Sequence, residues 1–512
     1  MATEKFDHVV SVMFENRSFD NLLGHLYEPG EVESFEGVIG RGLSNPIPSY
    51  APGAERGVVP LHVAASMDAP NPDAGEEYPH INTQLFGSVS PEDNRFVSYE
   101  KMHPPFNLPD GRAREPTMDG FVIDYVNTFR SEIGRLPEYE EYAQVMCCYT
   151  PEQVPVISTI ARGFATFDHW FCEVPSQTFT NRSFYHAGTA SGLVINAPYE
   201  SFPKQNDAET IFERLEAAGL SWRVYVDPGM PFSLTGMIHT PRLSTKFATH
   251  FSSLDDFFDD AERGKLPTYS FIEPNLLHAH NDYHPAYNAN VPGLSADPPS
   301  SILGGEDLLA SIYSAIRASS TASGSNFANM LFLVAFDEAG GTYDHVPPPS
   351  APPPDPAAPA GQMGFRFDRS GIRIPTLAVS AYIDPHTVVS REYRNTSLIR
   401  TLRERFSLGP PLTGRDAAAA DISPILTRDK PRAQEDWPEV TALPVPSMLD
   451  PITAPDKPLP PLGKYLLGTA ITLDTMNTGQ VPDIDPKTAT GAEAHAYVID
   501  RQARIWPGLV RP

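Results

Sequence analysis

Two uninterrupted apolar runs, "HVVSVMF" at 8–14 and "NMLFLVAF" at 329–336, each break off in a pair of polar side chains, Glu15-Asn16 and Asp337-Glu338. Runs this short and this uniformly apolar suit strands buried on both faces, the condition of a parallel sheet covered by helices on either side. Similar runs recur at 222–226 ("WRVYV"), 268–272 ("TYSFI") and 374–381 ("IPTLAVSA"), and amphipathic segments lie between them. "DAETIFERLEAAG" predicts a helix with Asp207 as N-cap, Ile211, Phe212 and Leu215 on one face, and a stop at Gly219. "GEDLLASIYSAIRAS" predicts another that buries Leu308, Leu309, Ile312, Ala315 and Ile316. The alternation predicts an α/β fold, a large and mostly parallel central sheet flanked by helices.

Proline accounts for 54 of 512 residues, against a usual share of about 5%. It gathers in the stretches 28–80 and 284–300 and in "PPPSAPPPDPAAPA" (347–360), which predicts long Pro-rich loops. Periodicity weakens again past residue 409. The expected organisation is one α/β domain over 1–410 and a Pro-rich C-terminal extension, 411–512, packed on the same domain. There is no internal repeat.

The balance of 38 basic against 64 acidic side chains, a net charge of −26, argues against a nucleic-acid partner. It also repels anionic substrates, so an enzyme acting on them must concentrate positive charge locally, for example with a metal ion. No apolar run reaches the ~18 residues of a bilayer span, so stable membrane insertion is not expected. The start "MATEKFDHVV" carries no basic segment followed by an apolar one, which predicts a cytoplasmic location as written; a secreted mature form would read the same way. Cys147, Cys148 and Cys172 have neither disulfide-framework numbers nor metal-ligand spacing and read as buried thiols. Nothing in the sequence bears on oligomeric state.

In an open parallel sheet, ligands bind beyond the carboxyl ends of the strands. Adjacent carboxylates at the end of a fully buried strand are costly unless positive charge lies between them, and a divalent cation with oxygen ligands meets that need. The alternative is that Glu15 and Asp337 cap helices. Histidines gather at His278, His280 and His284, with His345 and His80 elsewhere; His284 and His345 each follow a strand and precede proline. Neutral imidazole ligates metal, and the protonated ring can donate to a leaving group. "FCEVPSQTFTNRSFYHAGTASG" supplies the hydroxyls Ser176, Thr178, Thr180 and Ser183 beside Asn181 and Arg182. Any of them needs a base or a metal to become a nucleophile.

Taken in order, these stretches resemble the phosphoesterase family that contains phosphatidylcholine-type phospholipases C and acid phosphatases, a branch of the alkaline phosphatase superfamily. The resemblance is carried by "HVVSVMFENRSFDNLLG", "PTMDGF", "YTPEQVPVISTIARGFATFDHWFCEVPSQTFTNRSF", "SFIEPN", "NDYHP", "FDEAGGTYDHVPPP" and "TSLIRTLRERF", from residue 8 to residue 406. It implies an alkaline-phosphatase-like fold and a divalent metal ion (Mg, Ca, Zn or Mn) held by Glu15, Asn16, Thr178, Asp337 and Glu338. It further implies Thr178 as nucleophile, His284, His345 and His80 at the phosphoryl group or leaving oxygen, and Asn16, Asn181 and Arg182 in contact with substrate. The activity implied is metal-dependent hydrolysis of phosphoric esters through a phosphothreonine, acid phosphatase-like, on a small phosphate ester. Two alternatives are a phospholipase C acting on a phospholipid headgroup and, from another class, a catalytically decayed binding protein. The sequence departs from the family at Asn395, where His usually precedes the Thr-Ser pair, and at Tyr283, where His or Asp commonly precedes His284. Repeated β-rich modules do not follow the core, which favours the phosphatase-like branch.

Overall fold

The computed structural model describes residues 5–109, 115–198, 200–277, 280–285, 301–446, 459 and 461–509; His278 and most of the Pro-rich stretch 284–300 lie outside them. Eight strands form the central sheet: β1 (His8–Phe14), β2 (Ala165–Phe167), β3 (Trp222–Val226), β4 (Phe251–Ser253), β5 (Tyr269–Glu273), β6 (Met330–Phe336), β7 (Leu377–Val379) and β8 (Thr387–Val389). Their order is β8-β2-β7-β6-β1-β5-β3-β4. Every neighbouring pair is parallel except those made by β7, which runs antiparallel to both β6 and β2. The sheet is therefore mixed but mostly parallel, as the apolar runs predict. β2, β4 and β8, three residues each, are too short to register as periodic runs.

All seven residues of β6 are buried, as are six of the seven in β1. Flanking helices cover them, among them α1 (Phe19–Leu23), α2 (Tyr78–Phe86), α3 (Pro155–Gly163), α4 (Thr178–Ala187), α5 (Ile211–Ala217) and α6 (Ile302–Ala318). One hydrophobic core joins β1 and β6 to Ile157, Phe184, Phe212, Leu309 and Ile312. A second, smaller core packs Ile81, Leu85, Phe121 and Tyr125 beneath Ala339 and Tyr343. All three cysteines are buried and free.

One expectation needs correction. Helix α5 is capped by Thr210 rather than Asp207, because Thr210 and Glu213 form a reciprocal capping box that Asp207, three residues earlier, cannot make. The C-terminal stretch contains helices α7 (Pro461–Thr478) and α8 (Gly491–Ile505), and Trp506 just beyond α8 stacks on Phe247 with ring centroids 3.7 Å apart. Among the described residues no helix is long and apolar enough to cross a membrane.

Adjacency fixes the place of the chemistry. β1 and β6 lie side by side with Phe14 paired to Phe336, so both strands end at one edge of the sheet. Backbone bonds extend that edge: Asp337 N donates to Phe14 O (3.1 Å), Arg17 N to Glu338 O (3.1 Å) and Glu15 N to Asp282 O (2.8 Å).

Candidate active site

Glu15, Asn16, Asp337 and Glu338 are brought together where β1 and β6 end, and all four are buried. Asn16 N donates to Asp337 Oδ1 (3.2 Å), and so does Glu338 N (2.8 Å). Thr178, the first residue of α4, donates its hydroxyl to Glu15 Oε2 (3.2 Å). One turn along α4, Arg182 pairs with Glu15 Oε1 and approaches Asp337 Oδ2 at 3.4 Å through Nε. The spacing Thr178 to Arg182 is the i, i+4 spacing that sets two side chains on one helix face.

Charge in this pocket is unbalanced. Burial pushes the carboxyls of Glu15 and Glu338 well above their usual range and raises Asp337 and Glu76; Arg182 opposes the shift at Glu15 and Asp337. Asn16 Oδ1 and Glu338 Oε1 are buried with no hydrogen-bond partner among the described residues, and Asp337 Oδ2 has no hydrogen bond but the ion pair with Arg182 Nε at 3.4 Å. Under-satisfied oxygens on strand ends, in a site with more carboxylates than cations, fit a hard divalent cation with oxygen ligands.

Glu76 was not anticipated by the sequence reading. Asn16 Nδ2 donates to Glu76 Oε2 (2.6 Å) and lies 2.8 Å from His284 Nε2. His284 is thus in the site; burial lowers its pKa to about 4, and Nδ1 lies 2.7 Å from Pro285 O. Asp73, at 3.8 Å from His284 Nε2, stands at the same corner. The one local cue to Glu76 is the adjacent pair Glu76-Glu77 in "DAGEEYPH", which does not tell which acidic side chain faces Asn16.

The other residues singled out in the sequence have partners of their own. Asn181 directs its side chain at its own loop, accepting from Glu173 N and Val174 N and donating to Val174 O, Ser176 O and Gln177 O, so it holds the segment before Thr178. His80 sits on α2, not in a loop, with Nδ1 2.8 Å from Asp124 Oδ1 and Nε2 3.7 Å from Glu77. His345 is held between Asp20 (2.7 Å) and Glu36 (3.1 Å). Asp20, Asp344 and His345 have the spacing of a metal site, but Arg373 lies among them at 2.8 Å from Asp20 and 2.9 Å from Asp344 and supplies the charge. Asn395 accepts from Trp170 Nε1 (2.8 Å) and approaches the carbonyls of Phe336 (3.3 Å) and Asp337 (3.5 Å), bracing the strand end instead of contributing a ligand. Tyr283 donates its hydroxyl to Glu306 (2.6 Å).

The model of the Phosphoesterase family matches residues 6–409. The chain is 29% identical over 455 residues to non-specific phospholipase C4 of Arabidopsis thaliana, covering 85% of this chain and 74% of that protein. It is 25% identical over 480 residues to phospholipase C B of Mycobacterium tuberculosis, covering 86% and 81%. Among solved structures it is similar to a protein in the alkaline phosphatase superfamily from Vibrio parahaemolyticus, with a TM-score of 0.31 and 15% identity over 56% of this chain and 66% of that one.

Proposed function

The chain belongs to the Phosphoesterase family and is a phosphoric ester hydrolase; on that premise we propose that it cleaves phosphodiesters in the manner of a phospholipase C, with Thr178 as nucleophile. The observation that carries this reading is the hydrogen bond from Thr178 Oγ1 to Glu15 Oε2, 3.2 Å, at the first residue of helix α4. The carboxylate orients the hydroxyl and draws on its proton, while the helix N-terminus favours the negative charge that develops as the oxygen attacks. The Thr178 Oγ–phosphorus bond forms as its proton passes to Glu15 and the bond to the departing alcohol oxygen breaks, that oxygen keeping the bonding pair and taking a proton from solvent; water later hydrolyses the phosphothreonine and Thr178 regains a proton. Arg182 Nη1, buried and without a hydrogen-bond partner among the described residues, is the group available to meet a phosphoryl oxygen. Glu15, Asn16, Asp337 and Glu338, with Thr178, would hold a divalent cation, which when bound offsets phosphoryl charge as a Lewis acid.

The substrate class follows from charge. A monoester brings close to two negative charges at neutral pH and a diester one, so a pocket surrounded by Asp73, Glu76, Glu338 and Asp337 disfavours the monoester more. The phospholipase C names of relatives matched over most of their length point the same way. Phospholipid headgroups therefore come ahead of the small monoesters that the sequence alone favours. A panel of p-nitrophenyl phosphate, p-nitrophenyl phosphorylcholine and phosphatidylcholine micelles, each with and without chelator, tests both parts. The diesters should turn over faster, all activity should vanish with chelator and return with one divalent ion, and Asp337→Asn should abolish it. Preference for the monoester would restore the acid phosphatase reading, full turnover in metal-free protein would remove the metal, and no turnover on any substrate would favour the decayed binding protein.

A further inference from the structure

We propose that Glu76 and His284 are positioning residues that lock the carboxamide of Asn16 with its oxygen, not its nitrogen, facing the pocket between Glu15, Asp337 and Glu338. The inference rests on the reading of that pocket as a cation site. A carboxamide has nearly the same shape at both ends and opposite hydrogen-bonding character, so only its neighbours decide which way it points. Here both neighbours of the nitrogen are acceptors. Glu76 Oε2 lies 2.6 Å from Asn16 Nδ2, and a carboxylate cannot donate. His284 Nε2 lies 2.8 Å away on another side, and because Nδ1 gives its hydrogen to Pro285 O (2.7 Å), Nε2 presents a lone pair. A flipped amide would set its oxygen against that lone pair and the carboxylate together. The oxygen left over, Oδ1, is buried and has no partner. Asp73, Glu76 and His284 have the spacing of a three-ligand metal site, but the amide hydrogens of Asn16 already occupy the side that Glu76 and His284 share.

The arrangement is rigid at its base. Asn16 adopts a left-handed backbone (φ 56°) directly after β1. The loop that carries Glu76 is pressed on both sides: a Cβ on Gly75 would lie 2.5 Å from His80 Cγ, and one on Gly341 would lie 2.6 Å from Gly75 O. Glu76 therefore cannot drift away from Asn16 without moving the turn after β6. Groups that orient a metal ligand without touching the ion typically change affinity by roughly 10- to 100-fold when removed.

The test uses the full chain stripped with chelator and titrated with Mn²⁺ alone, free ion being read by electron paramagnetic resonance. Glu76→Ala and His284→Ala should each weaken Mn²⁺ binding by roughly 10- to 100-fold. Glu76→Gln and His284→Gln should recover most of the loss, because a carboxamide oxygen can still accept from Asn16 Nδ2. Alanine variants that bind as tightly as the parent would overturn the inference, as would glutamine variants as weak as the alanine ones, which would mean that charge or direct ligation is what counts. A parent chain that binds no Mn²⁺ would bring down the cation site and this inference together; binding that is indifferent to position 76 and 284 brings down this one alone.

Discussion

Four hydroxyls stand within residues 176–183, and their partners separate them. Thr180 Oγ1 donates to Leu193 O (3.0 Å) and Ser183 Oγ to Thr189 O (2.7 Å), so both are engaged with backbone carbonyls. Ser176 Oγ is buried without a partner among the described residues, and Thr178 reaches Glu15. If Thr178 is the nucleophile, Thr178→Ala should cost roughly 10⁴-fold or more in kcat while substrate still binds, because the lost interaction exists only in the transition state. Thr178→Ser keeps the oxygen and should keep measurable turnover; Ser176→Ala should be mild. Rapid-quench mass spectrometry should find trapped phosphate on the peptide containing Thr178. Phosphate on another residue would defeat the assignment even with the metal site intact.

At the scale of elements, the site depends on how β6 ends. After Glu338 the chain turns through Gly340 with φ 58°, and a Cβ there would lie 2.5 Å from Asn16 O and 2.6 Å from Asn16 Cβ. Two demands coincide: a left-handed backbone, and close approach to Asn16, two residues past the end of β1. Gly340→Ala should therefore cost about 1–3 kcal/mol from backbone strain alone and, by displacing Asn16, should also weaken Mn²⁺ binding. Gly479 has a comparable φ of 71° with nothing within 4 Å of a Cβ, so Gly479→Ala is the control for backbone strain without contact. Equal falls in Tm for the two variants, with Mn²⁺ affinity unchanged, would show that the turn does not hold the site.

Over the whole molecule, the excess acid charge is met locally by burial and pairing, and this makes stability depend on pH. Burial alone would lower the imidazole of His80, but the Asp124 carboxylate beside Nδ1 outweighs it and holds the ring at about 9. Burial raises the carboxyl of Glu77 to about 7. Both groups bind protons more tightly folded than unfolded, so they act in one direction: their contribution is complete below their ordinary values and is lost as pH rises through the folded ones. Glu77 accounts for the fall between about pH 4.5 and 7 and His80 for that between about pH 6.5 and 9. Tm should decline from pH 6.5 to 9 in the parent chain and decline less steeply in His80→Gln. An unchanged slope in the variant would place the titration elsewhere.

The apolar runs of β1 and β6 determine by themselves that these are buried strands, and their abrupt polar ends locate the chemistry, because a fully covered strand can turn polar only at the sheet edge. Thr178 and Arg182 were named through the family resemblance, and the helix then sets them on one face of α4 at i, i+4 spacing. Only the tertiary structure decided the rest. Hydrogen-bond partners are chosen in space: His345 reads as well as His284 in sequence, and the resemblance adds His80, yet packing gives His80 and His345 carboxylate partners of their own and turns His284 toward Asn16. Glu76 lies 60 residues from Asn16 in the chain. No local pattern specifies which of many acidic side chains will face one amide, because that choice is made by the loop packing of Gly75 against His80 and Gly341.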